Sequence, residues 1–561
     1  MTSIALLFGC ALLALAFLLP GHYFPWLSFQ QETAAACGAA LLALAAGIGE
    51  RRHRWPWLAW VALGAAIVPL AQLAGGKIAF HSDAVGAVAY LAGFGVSIAT
   101  GATLARRADG AVVADALTGA LIAAALASAG MALAQWLQLG VDGFIEALAP
   151  GGRVYANFGQ PNHLATLLVL GMAGAVRWYE TRRIGGATLS LAVLLLGWVL
   201  VLTGSRTGWL AVGALVLWLL VCRPRMDLRL KPLPLLGALG AFALAVALQP
   251  ALTGALDLAG SNAAAPRLQA GTRSVHWQAM WEAAWRAPWL GWGWQQASLA
   301  HQGVALDFPH TGELITNSHN LLLDLVIWNG IPIGLALFGA LFGWIVLRAV
   351  RCRSAGQALL LAMVGAVFLH ALVEFPLDYL FFLLPVGLLI GVVDGGADAT
   401  AGPPRSRWPL VLLASGLSGL LIFAAHEYLK VESAMRTLRF VVNGIGVDKV
   451  ASAPEPDVRL FDWYRAQHRF MLEPIREGLP PNELTATDRV VQRFALPAAL
   501  FRQAVLHALH TDPAGAERSL RLLCWVHGRR HCDSGRREWQ ALQVRYSALS
   551  QVPFPPTPPG N

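Results

Sequence analysis

Residues 186–222 read GATLSLAVLLLGWVLVLTGSRTGWLAVGALVLWLLVC, two apolar runs joined by the short turn TGSRTG at 203–208. About 20 apolar residues cross the hydrocarbon core of a bilayer, so this stretch predicts two membrane helices that meet at one membrane surface. Similar runs continue in both directions, and the chain is 56% apolar and only 13% charged. Soluble domains are usually about one quarter charged. The sequence therefore predicts an all-α, polytopic integral membrane protein.

The same criterion predicts about 12 to 13 transmembrane helices across the chain. The candidate spans start near residues 4, 34, 56, 83, 111, 162, 186, 208, 233, 320, 356, 379 and 408. The first run has no basic residues before it and no small-residue cleavage site, so we interpret it as a retained span and not as a removed signal peptide.

The basic residues of the connecting loops fall mainly on one side of the predicted membrane. They cluster at residues 51–54, 106–107, 177–183, 223–231, 348–353 and 405–407. By the positive-inside rule these loops are cytoplasmic. The net charge of +9 follows from these loop residues. Aromatic residues do not alternate with them, so we expect no nucleic acid as a partner.

An odd number of spans then places the C-terminal region on the far side. The predicted domains are a transmembrane catalytic domain over residues 1–425, with a large periplasmic loop at 251–317, and a helical periplasmic domain over residues 426–561 with a disordered Pro-rich tail. Cys524 and Cys532 flank a short turn and form either a disulfide or two free thiols. No cysteine or histidine spacing is typical of a metal site, so none is expected.

Four polar clusters lie on the predicted extracytoplasmic face, and functional residues that share a side argue for one site. They are Gln160-Pro161-Asn162-His163, Ser205-Arg206, Arg273, and Ser318-His319-Asn320.

Two arginines are candidates for binding a diphosphate. Arg206 lies in the turn at 203–208, where its guanidinium fork suits bidentate phosphate contacts, although snorkelling to lipid headgroups also explains it. Tryptophans recur every four residues at 277, 281 and 285, which predicts an amphipathic helix at the headgroups. Anchoring explains these tryptophans but not Arg273, one turn before the first of them. Arg267 precedes it in the same loop.

His319 is the candidate general base, because imidazole titrates near neutral pH. It lies where a polar run gives way to an apolar helix, with Asn317 or Ser318 as the expected N-cap. The sequence NGIP at 329–332 predicts a break between a half-helix and the following span, as is tolerated mainly where helices line a cavity.

Two further clusters face the same side and either form capped turns or bind substrate. Gln160, Asn162 and His163 precede one span, and their uncharged groups suit hydrogen bonds to a sugar or an acceptor. Glu374, Asp378 and Tyr379 lie between two spans and are candidates to orient a base or bind the acceptor.

The motifs NFGQPNHLATLL, TGSRTGWLA, NSHNLLLDLVIWNGIPIG and EFPLDYLFFLLP resemble those of the bacterial O-antigen ligase and polymerase superfamily. The opening LPGHYFPWLSFQQE, the GQPNH cluster and the C-terminal domain are most similar to protein O-oligosaccharyltransferases that glycosylate pilins. The resemblance covers most of the chain, and its specificity comes from the order and sidedness of short motifs.

This resemblance implies a glycosyltransferase of GT-C type in the bacterial inner membrane, with its site facing the periplasm. It would move a preassembled glycan from undecaprenyl diphosphate to an acceptor hydroxyl without cofactor or metal. Arg206 and Arg273 would bind the lipid diphosphate, His319 would activate the hydroxyl, and Gln160 and Tyr379 match positions that matter in the protein-glycosylating branch. Some members carry a second histidine where this chain has Asn317, which places the base assignment on His319 alone.

Three functions remain open from the sequence. A protein O-oligosaccharyltransferase would use a pilin or another periplasmic protein, whereas an O-antigen ligase or polymerase would use lipid A core or a growing glycan. A polytopic transporter or flippase should show repeated halves with ionisable residues at the midplane. The predicted spans carry little charge and show no repeat, which argues against a transporter.

Overall fold

The computed structural model describes residues 2–49, 52–53, 55–107, 110–139, 143–148, 152–255, 271–396, 405–443 and 453–558. Within these ranges almost all regular structure is helical. The exceptions are two strands of two residues each, Arg52–His53 and Arg405–Ser406, which pair antiparallel. The predicted all-α membrane fold is confirmed.

The helices follow the apolar runs closely, and we number them in chain order. They are α1 Thr2–Ala16, α2 Phe29–Gly49, α3 Trp57–Ala65, α4 Ile67–Ala74, α5 His81–Ala105, α6 Gly110–Trp136, α7 Pro161–Glu180, α8 Gly186–Leu202, α9 Arg206–Cys222, α10 Pro232–Ala255, α11 Gly271–Arg286, α12 Ala297–Val304, α13 Leu321–Asn329, α14 Ile331–Arg351, α15 Ala355–Ala371, α16 Leu380–Gly395, α17 Trp408–Val442, α18 Asp462–Leu472, α19 Pro481–Arg493, α20 Pro497–Leu509 and α21 Pro513–Gln543. Short 3-10 helices occupy Arg223–Arg225, Ala305–Asp307, Pro376–Asp378 and Ser547–Gln551.

Among the described residues, eight helical segments are long and apolar enough to cross a membrane. Four helices, α1, α8, α15 and α16, are apolar but shorter. Helix α7 corresponds to the span that was predicted to start near residue 162. A helix that is apolar all round is stable only inside a bilayer or a protein core. The protein is therefore a multi-pass membrane protein.

The chain forms two compact units, of which the first comprises Met1–Ala66, Ala89–Arg267 and Gly339–Phe423. In this unit α7 and α16 are almost completely buried. Helices α5 and α16 pack backbone to backbone, because a Cβ atom on Gly101 would lie 2.2 Å from the carbonyl oxygen of Leu388. A Cβ on Gly391 would lie 2.1 Å from the carbonyl oxygen of Ile98. Small residues allow this close approach between membrane helices.

Charged side chains within the first unit form ion pairs. Arg177 lies 2.7 Å from Asp115, and Arg348 pairs with Asp394. The Trp344 indole donates to Asp394 at 3.0 Å. Buried charges are tolerated when they are paired and hydrogen-bonded.

The second unit comprises Ile67–Val88, Leu268–Phe338 and Ala424–Asn561. Its core includes Val490, Leu500, Leu520 and Trp539. C-terminal residues bond to the segments after α10, as where the Trp525 indole donates to the carbonyl oxygen of Phe308 at 2.8 Å. The predicted domain division between residues 425 and 426 places the loop at 251–317 in the transmembrane domain, whereas Leu268–Phe338 belongs to the second compact unit. The domain division remains a prediction.

The Pro-rich tail, which its composition predicts to be disordered, instead packs on the second unit over residues 552–558. Val552 is buried, and the ring of Phe554 lies 6.3 Å from that of Trp539. The Arg536 guanidinium donates to the carbonyl oxygen of Pro555 at 2.6 Å. Apolar side chains between the prolines give this segment surface to bury, which the proline content alone does not reveal.

Cys524 and Cys532 form a disulfide, which decides between the two alternatives that the sequence leaves open. Both lie within α21, which is kinked at Gly528, where φ is 74°. The short turn predicted between the cysteines is therefore a kink inside one helix. Glycine adopts this left-handed conformation without steric cost.

Candidate active site

The start of α7 contacts the segment between α15 and α16. Gln160 is the N-cap of α7 and Pro161 its first residue, a position where proline loses no hydrogen bond. The Asn162 amide donates to Oε1 of Glu374 at 3.0 Å, and the Gln160 amide donates to Oε2 at 3.4 Å. One buried carboxylate thus joins two predicted site segments that are more than 200 positions apart in sequence.

His163 lies beneath this carboxylate and is only 2% exposed. Its ring centroid is 4.9 Å from that of Tyr379, 5.6 Å from that of His370 and 6.1 Å from that of Phe375. His370 shares a 2.7 Å hydrogen bond with the Thr166 hydroxyl. His370 was not predicted from the sequence, because it lies inside an apolar span.

Two polar atoms of this cluster have no hydrogen-bond partner among the described residues. They are Oε1 of Gln160 and Nε2 of His163. Buried polar atoms in native proteins nearly always bond to protein, water or ligand. The cluster therefore offers one acceptor and one imidazole nitrogen to a polar group such as a hydroxyl.

Asp378 and Tyr379 complete the segment after α15. Asp378 closes the 3-10 helix Pro376–Asp378, and Tyr379 is the N-cap of α16 in an extended conformation. Tyr379 is held at the boundary between a tight turn and a buried helix. Its phenol ring contacts the ring of His163 edge to face.

Arg206 begins α9 directly after a tight turn. Gly204 has φ of 57°, and the Ser205 hydroxyl caps the helix by accepting from the amide of Gly208 at 3.1 Å. A Cβ on Gly208 would lie 2.9 Å from Cβ of Ala165, so α9 touches α7 near its start. The exposed Arg206 is thereby carried beside the Gln160–His163 cluster.

A second guanidinium lies at the same turn. Nη1 of Arg153 donates to the carbonyl oxygen of Gly204 at 3.3 Å, and Arg153 is exposed. Arg153 was not among the predicted site residues. It could have been found in the sequence because the predicted extracytoplasmic loops contain few other basic residues.

His319, in the second unit, has φ of 55°, a left-handed conformation that is uncommon for residues other than glycine. Its neighbour Ser318 is fixed on both sides. The Ser318 amide donates to Oδ1 of Asp324 at 3.0 Å, and the Trp277 indole donates to the Ser318 carbonyl oxygen at 3.0 Å. Such strain persists only where surrounding contacts determine it, and it is concentrated at functional sites.

The predicted N-cap of α13, Asn317 or Ser318, is wrong, because the N-cap is Asn320. The Oδ1 atom of Asn320 accepts from the amides of Leu322 at 3.0 Å and Leu323 at 3.2 Å. The helix begins later than expected because Asn320 is still extended, with φ of −156°. His319 therefore lies one residue before the N-cap of the helix.

The predicted half-helix is confirmed. Helix α13 ends at Asn329, Gly330 has φ of 83°, and α14 begins at Ile331. A Cβ on Gly330 would lie 2.5 Å from backbone atoms of Trp289. Glycine is required here both by the conformation and by the close approach of another chain segment.

The tryptophans lie on a helix as predicted, α11, and the placement of this helix at the headgroups remains a prediction. Arg273 lies in its first turn and is exposed. His276 lies one turn further along α11. Burial lowers the pKa of His276, the nearby charges of His319 and Arg273 lower it further, and Glu313 raises it.

The structure thus brings the predicted site residues together in two groups, one in each unit. Gln160, Asn162, His163, Glu374 and Tyr379 form the first, with Ser205 and Arg206 at its edge; Arg273, His319 and Asn320 form the second. Arg267 lies outside the described residues. The convergence of the two groups on one substrate remains a prediction.

No group of three or more His, Cys, Asp or Glu side chains suited to a metal ion occurs among the described residues. The expectation that transfer needs no metal remains a prediction.

Sequence comparisons define the class of this fold and site. A family model for O-antigen ligase matches residues 191–339, and one for the C-terminal region of a virulence factor membrane-bound polymerase matches residues 358–541. A protein glycosylation ligase model matches residues 154–178, which contain the Gln160–His163 cluster. The protein is a membrane glycosyltransferase of the O-antigen ligase class.

Two relatives narrow the class to a family. A general O-oligosaccharyltransferase of Acinetobacter baylyi is 30% identical over 531 residues, covering 90% of this chain and 89% of the relative. A ComP-specific O-oligosaccharyltransferase of the same organism is 27% identical over 267 residues, covering 47% of this chain and 48% of the relative. The chain belongs to the O-oligosaccharyltransferase family, which confirms the resemblance found in the sequence.

Proposed function

We propose that this enzyme transfers a preassembled oligosaccharide en bloc from undecaprenyl diphosphate to Ser or Thr hydroxyls of periplasmic proteins such as pilins. The reaction takes place at the periplasmic face of the bacterial inner membrane. The observation that carries the proposal is the His319 loop, in which a histidine with a left-handed backbone follows Ser318, and Ser318 is bonded to Trp277 of α11 and Asp324 of α13.

The donor is bound through its diphosphate. Departure of undecaprenyl diphosphate leaves negative charge on the phosphate oxygens, and fixed donors in a site of low dielectric stabilise that charge. Arg206 and Arg273 carry guanidinium forks that make paired hydrogen bonds to phosphate. Both begin or nearly begin a helix and are exposed, as access to a lipid substrate requires. Arg267 lies upstream in the same loop as a further candidate contact.

His319 acts on the acceptor. Its imidazole takes the proton of the acceptor hydroxyl as the oxygen forms a bond to the anomeric carbon of the glycan. The bond from that carbon to the diphosphate oxygen breaks, and its electron pair leaves with the lipid carrier. Asn320 fixes the start of α13 beside this histidine. The free amides at the start of that helix add positive potential near the leaving group.

The Gln160–Tyr379 cluster binds the acceptor or the first sugar. Gln160, Asn162 and His163 provide uncharged hydrogen-bonding groups, with the orphan atoms of Gln160 and His163 available to a hydroxyl. Glu374 orients the two amides, while Tyr379 packs against the ring of His163 and Asp378 precedes it as a further candidate contact. Ser205 supports the Arg206 turn.

Co-expression with a defined undecaprenyl-linked glycan and a candidate pilin tests the proposal. We expect mass spectrometry to find glycan on the pilin with the wild-type enzyme and almost none with His319→Ala. His531, an exposed histidine of α21, gives the matched control His531→Ala with normal transfer. Unchanged glycosylation in His319→Ala at equal membrane levels would contradict the proposal.

An O-antigen ligase or polymerase activity is the second candidate, supported by the family models that match residues 191–339 and 358–541. It shares the donor chemistry and differs in the acceptor. Transfer only to lipid A core or to a growing glycan, with no protein-linked sugar in the same cells, would favour it.

A further inference from the structure

The opening motif of the chain contributes two adjacent polar residues at the start of α2, Gln31 and Glu32. Both are buried, with exposures of 4% and 3%. Neither belongs to the candidate site described above. Each one bonds to a different segment of that site.

Gln31 holds the segment that leads into α7. Its amide donates to the carbonyl oxygen of Asn157 at 2.8 Å and to that of Leu19 at 3.0 Å. The Asn157 side chain donates in turn to the carbonyl oxygen of Leu18 at 2.7 Å. Asn157 lies three residues before Gln160. These bonds therefore join the segment that precedes the Gln160–His163 cluster to the segment that follows α1.

Glu32 holds the segment that leads into α16. Its carboxylate accepts from the Trp26 indole at 3.0 Å, from the hydroxyls of Ser28 and Tyr90, and from the backbone amide of Leu380. Leu380 is the first residue of α16, whose amides have no partner within the helix. Glu32 therefore caps α16 from another helix and fixes the position next to Tyr379.

We propose that Gln31 and Glu32 are a positioning pair that sets the spacing between the Gln160–His163 cluster and Tyr379. Two consecutive residues of one rigid helix fix both segments, so neither can shift without breaking a buried hydrogen bond. The inference rests on the proposed function in assigning these segments to the acceptor or the first sugar. It adds that their geometry is set by α2 and not only by Glu374.

Kinetics of the purified enzyme test the role. We expect Gln31→Ala and Glu32→Gln to lower kcat by about 10- to 100-fold, because a displacement near 1 Å in a site has effects of this size. Gln30→Ala changes the exposed neighbour on the same helix and should leave the rate unchanged. Glu32→Gln should add no further loss to Tyr379→Phe, since a residue acting through Tyr379 loses its effect when that phenol is removed. Additive losses, or equal losses in Gln30→Ala, would overturn the proposal.

A crosslinking measurement tests the geometry without activity. The substitutions Asn162→Cys and Glu374→Cys, in a chain whose four free cysteines are replaced by serine, should give a pair that a short bifunctional maleimide joins rapidly. Adding Gln31→Ala or Glu32→Gln should slow this reaction several-fold while the melting temperature of the detergent-solubilised protein stays close to that of the parent. An unchanged crosslinking rate would overturn the positioning role even if the wild-type enzyme proves to glycosylate pilin. The predicted slowing of the crosslink, together with a wild-type enzyme that transfers no glycan to pilin, would instead count against the proposed function alone.

Discussion

The two groups of candidate site residues are built in different ways. The Gln160–Tyr379 cluster is a closed network in which buried side chains hold one another, with Glu374 bonded to two amides. The His319 loop is held through its backbone, with the amide and carbonyl groups of Ser318 bonded to Asp324 and Trp277. The proposed roles fit this difference, since we expect proton transfer from the His319 loop and hydroxyl recognition by the cluster. Preorganisation serves both tasks but by different contacts.

Removal of the imidazole is the strongest way to test this contrast. His319→Ala should lower kcat by about 10² to 10⁴-fold, the usual contribution of a general base, with the acceptor KM nearly unchanged. Initial rates of the purified enzyme with a lipid-linked glycan and a pilin measure both constants. A fall in affinity with kcat preserved would show that His319 binds acceptor and performs no catalysis.

Exchange of the exposed guanidinium is expected to have the next largest effect. Arg206→Ala should lower kcat/KM for the donor by about 10² to 10³-fold, as loss of one transition-state donor does. Arg206→Lys should recover only part of it, because a point charge cannot replace the fork. Arg225→Lys, beyond the other end of the same helix, is the control and should behave as wild type. Full recovery by lysine would exclude bidentate binding.

The backbone support of His319 can be loosened without touching the imidazole. Asp324→Leu removes the acceptor of the Ser318 amide and should lower kcat by about 10- to 100-fold through misplacement of the base. Asp324→Asn keeps an acceptor oxygen and should retain most activity. Equal rates for the two variants would mean that the bond to Ser318 does not position His319.

A milder change is expected in the rigid cluster. Gln160→Ala removes one hydrogen bond, and a neutral bond contributes about 0.5 to 1.5 kcal/mol, so the acceptor KM should rise roughly 2- to 12-fold while kcat changes little. Titration of the acceptor at saturating donor measures this separation. An effect confined to kcat would move Gln160 from binding to catalysis.

The smallest effect concerns stability and leaves transfer unchanged. His507 lies 2.8 Å from Asp488 and 2.7 Å from Asp512, and these carboxylates raise the pKa of His507 above its usual value near 6.5. The pairing therefore stabilises the fold fully below that usual value and less as the pH rises through the raised pKa. Melting curves between pH 5 and 9 should show a larger alkaline decline for wild type than for His507→Gln. Parallel curves would contradict this.

Much of the fold was predictable, since apolar runs, the NGIP break and the four-residue tryptophan period each depend on neighbouring residues alone. The segments of the candidate site were also predictable, because polar residues at the ends of apolar runs are conspicuous. The supports of the site were not. Asp324 and His370 are isolated polar residues within apolar stretches. Several supporting bonds also join distant positions, as with Thr166 and His370, 204 positions apart, and Gln31 and Asn157, 126 positions apart.

The expectations that failed have local causes. The tail buries Val552 and Phe554 despite its prolines, and the N-cap of α13 moved to Asn320 because several adjacent residues have side chains able to cap. Pairing of Cys524 with Cys532 could not be decided from spacing, since it depends on a helix kinked at Gly528.

The central claim is that Arg206, Arg273 and His319 act on one lipid-linked substrate, and a structure of the enzyme with a non-transferable undecaprenyl diphosphate glycan bound tests it most directly. We expect both guanidinium groups within hydrogen-bonding distance of the phosphate oxygens and the His319 imidazole facing the anomeric carbon. A diphosphate contacted by only one of the two arginines, or a His319 ring too distant to reach an acceptor at that carbon, would contradict the account.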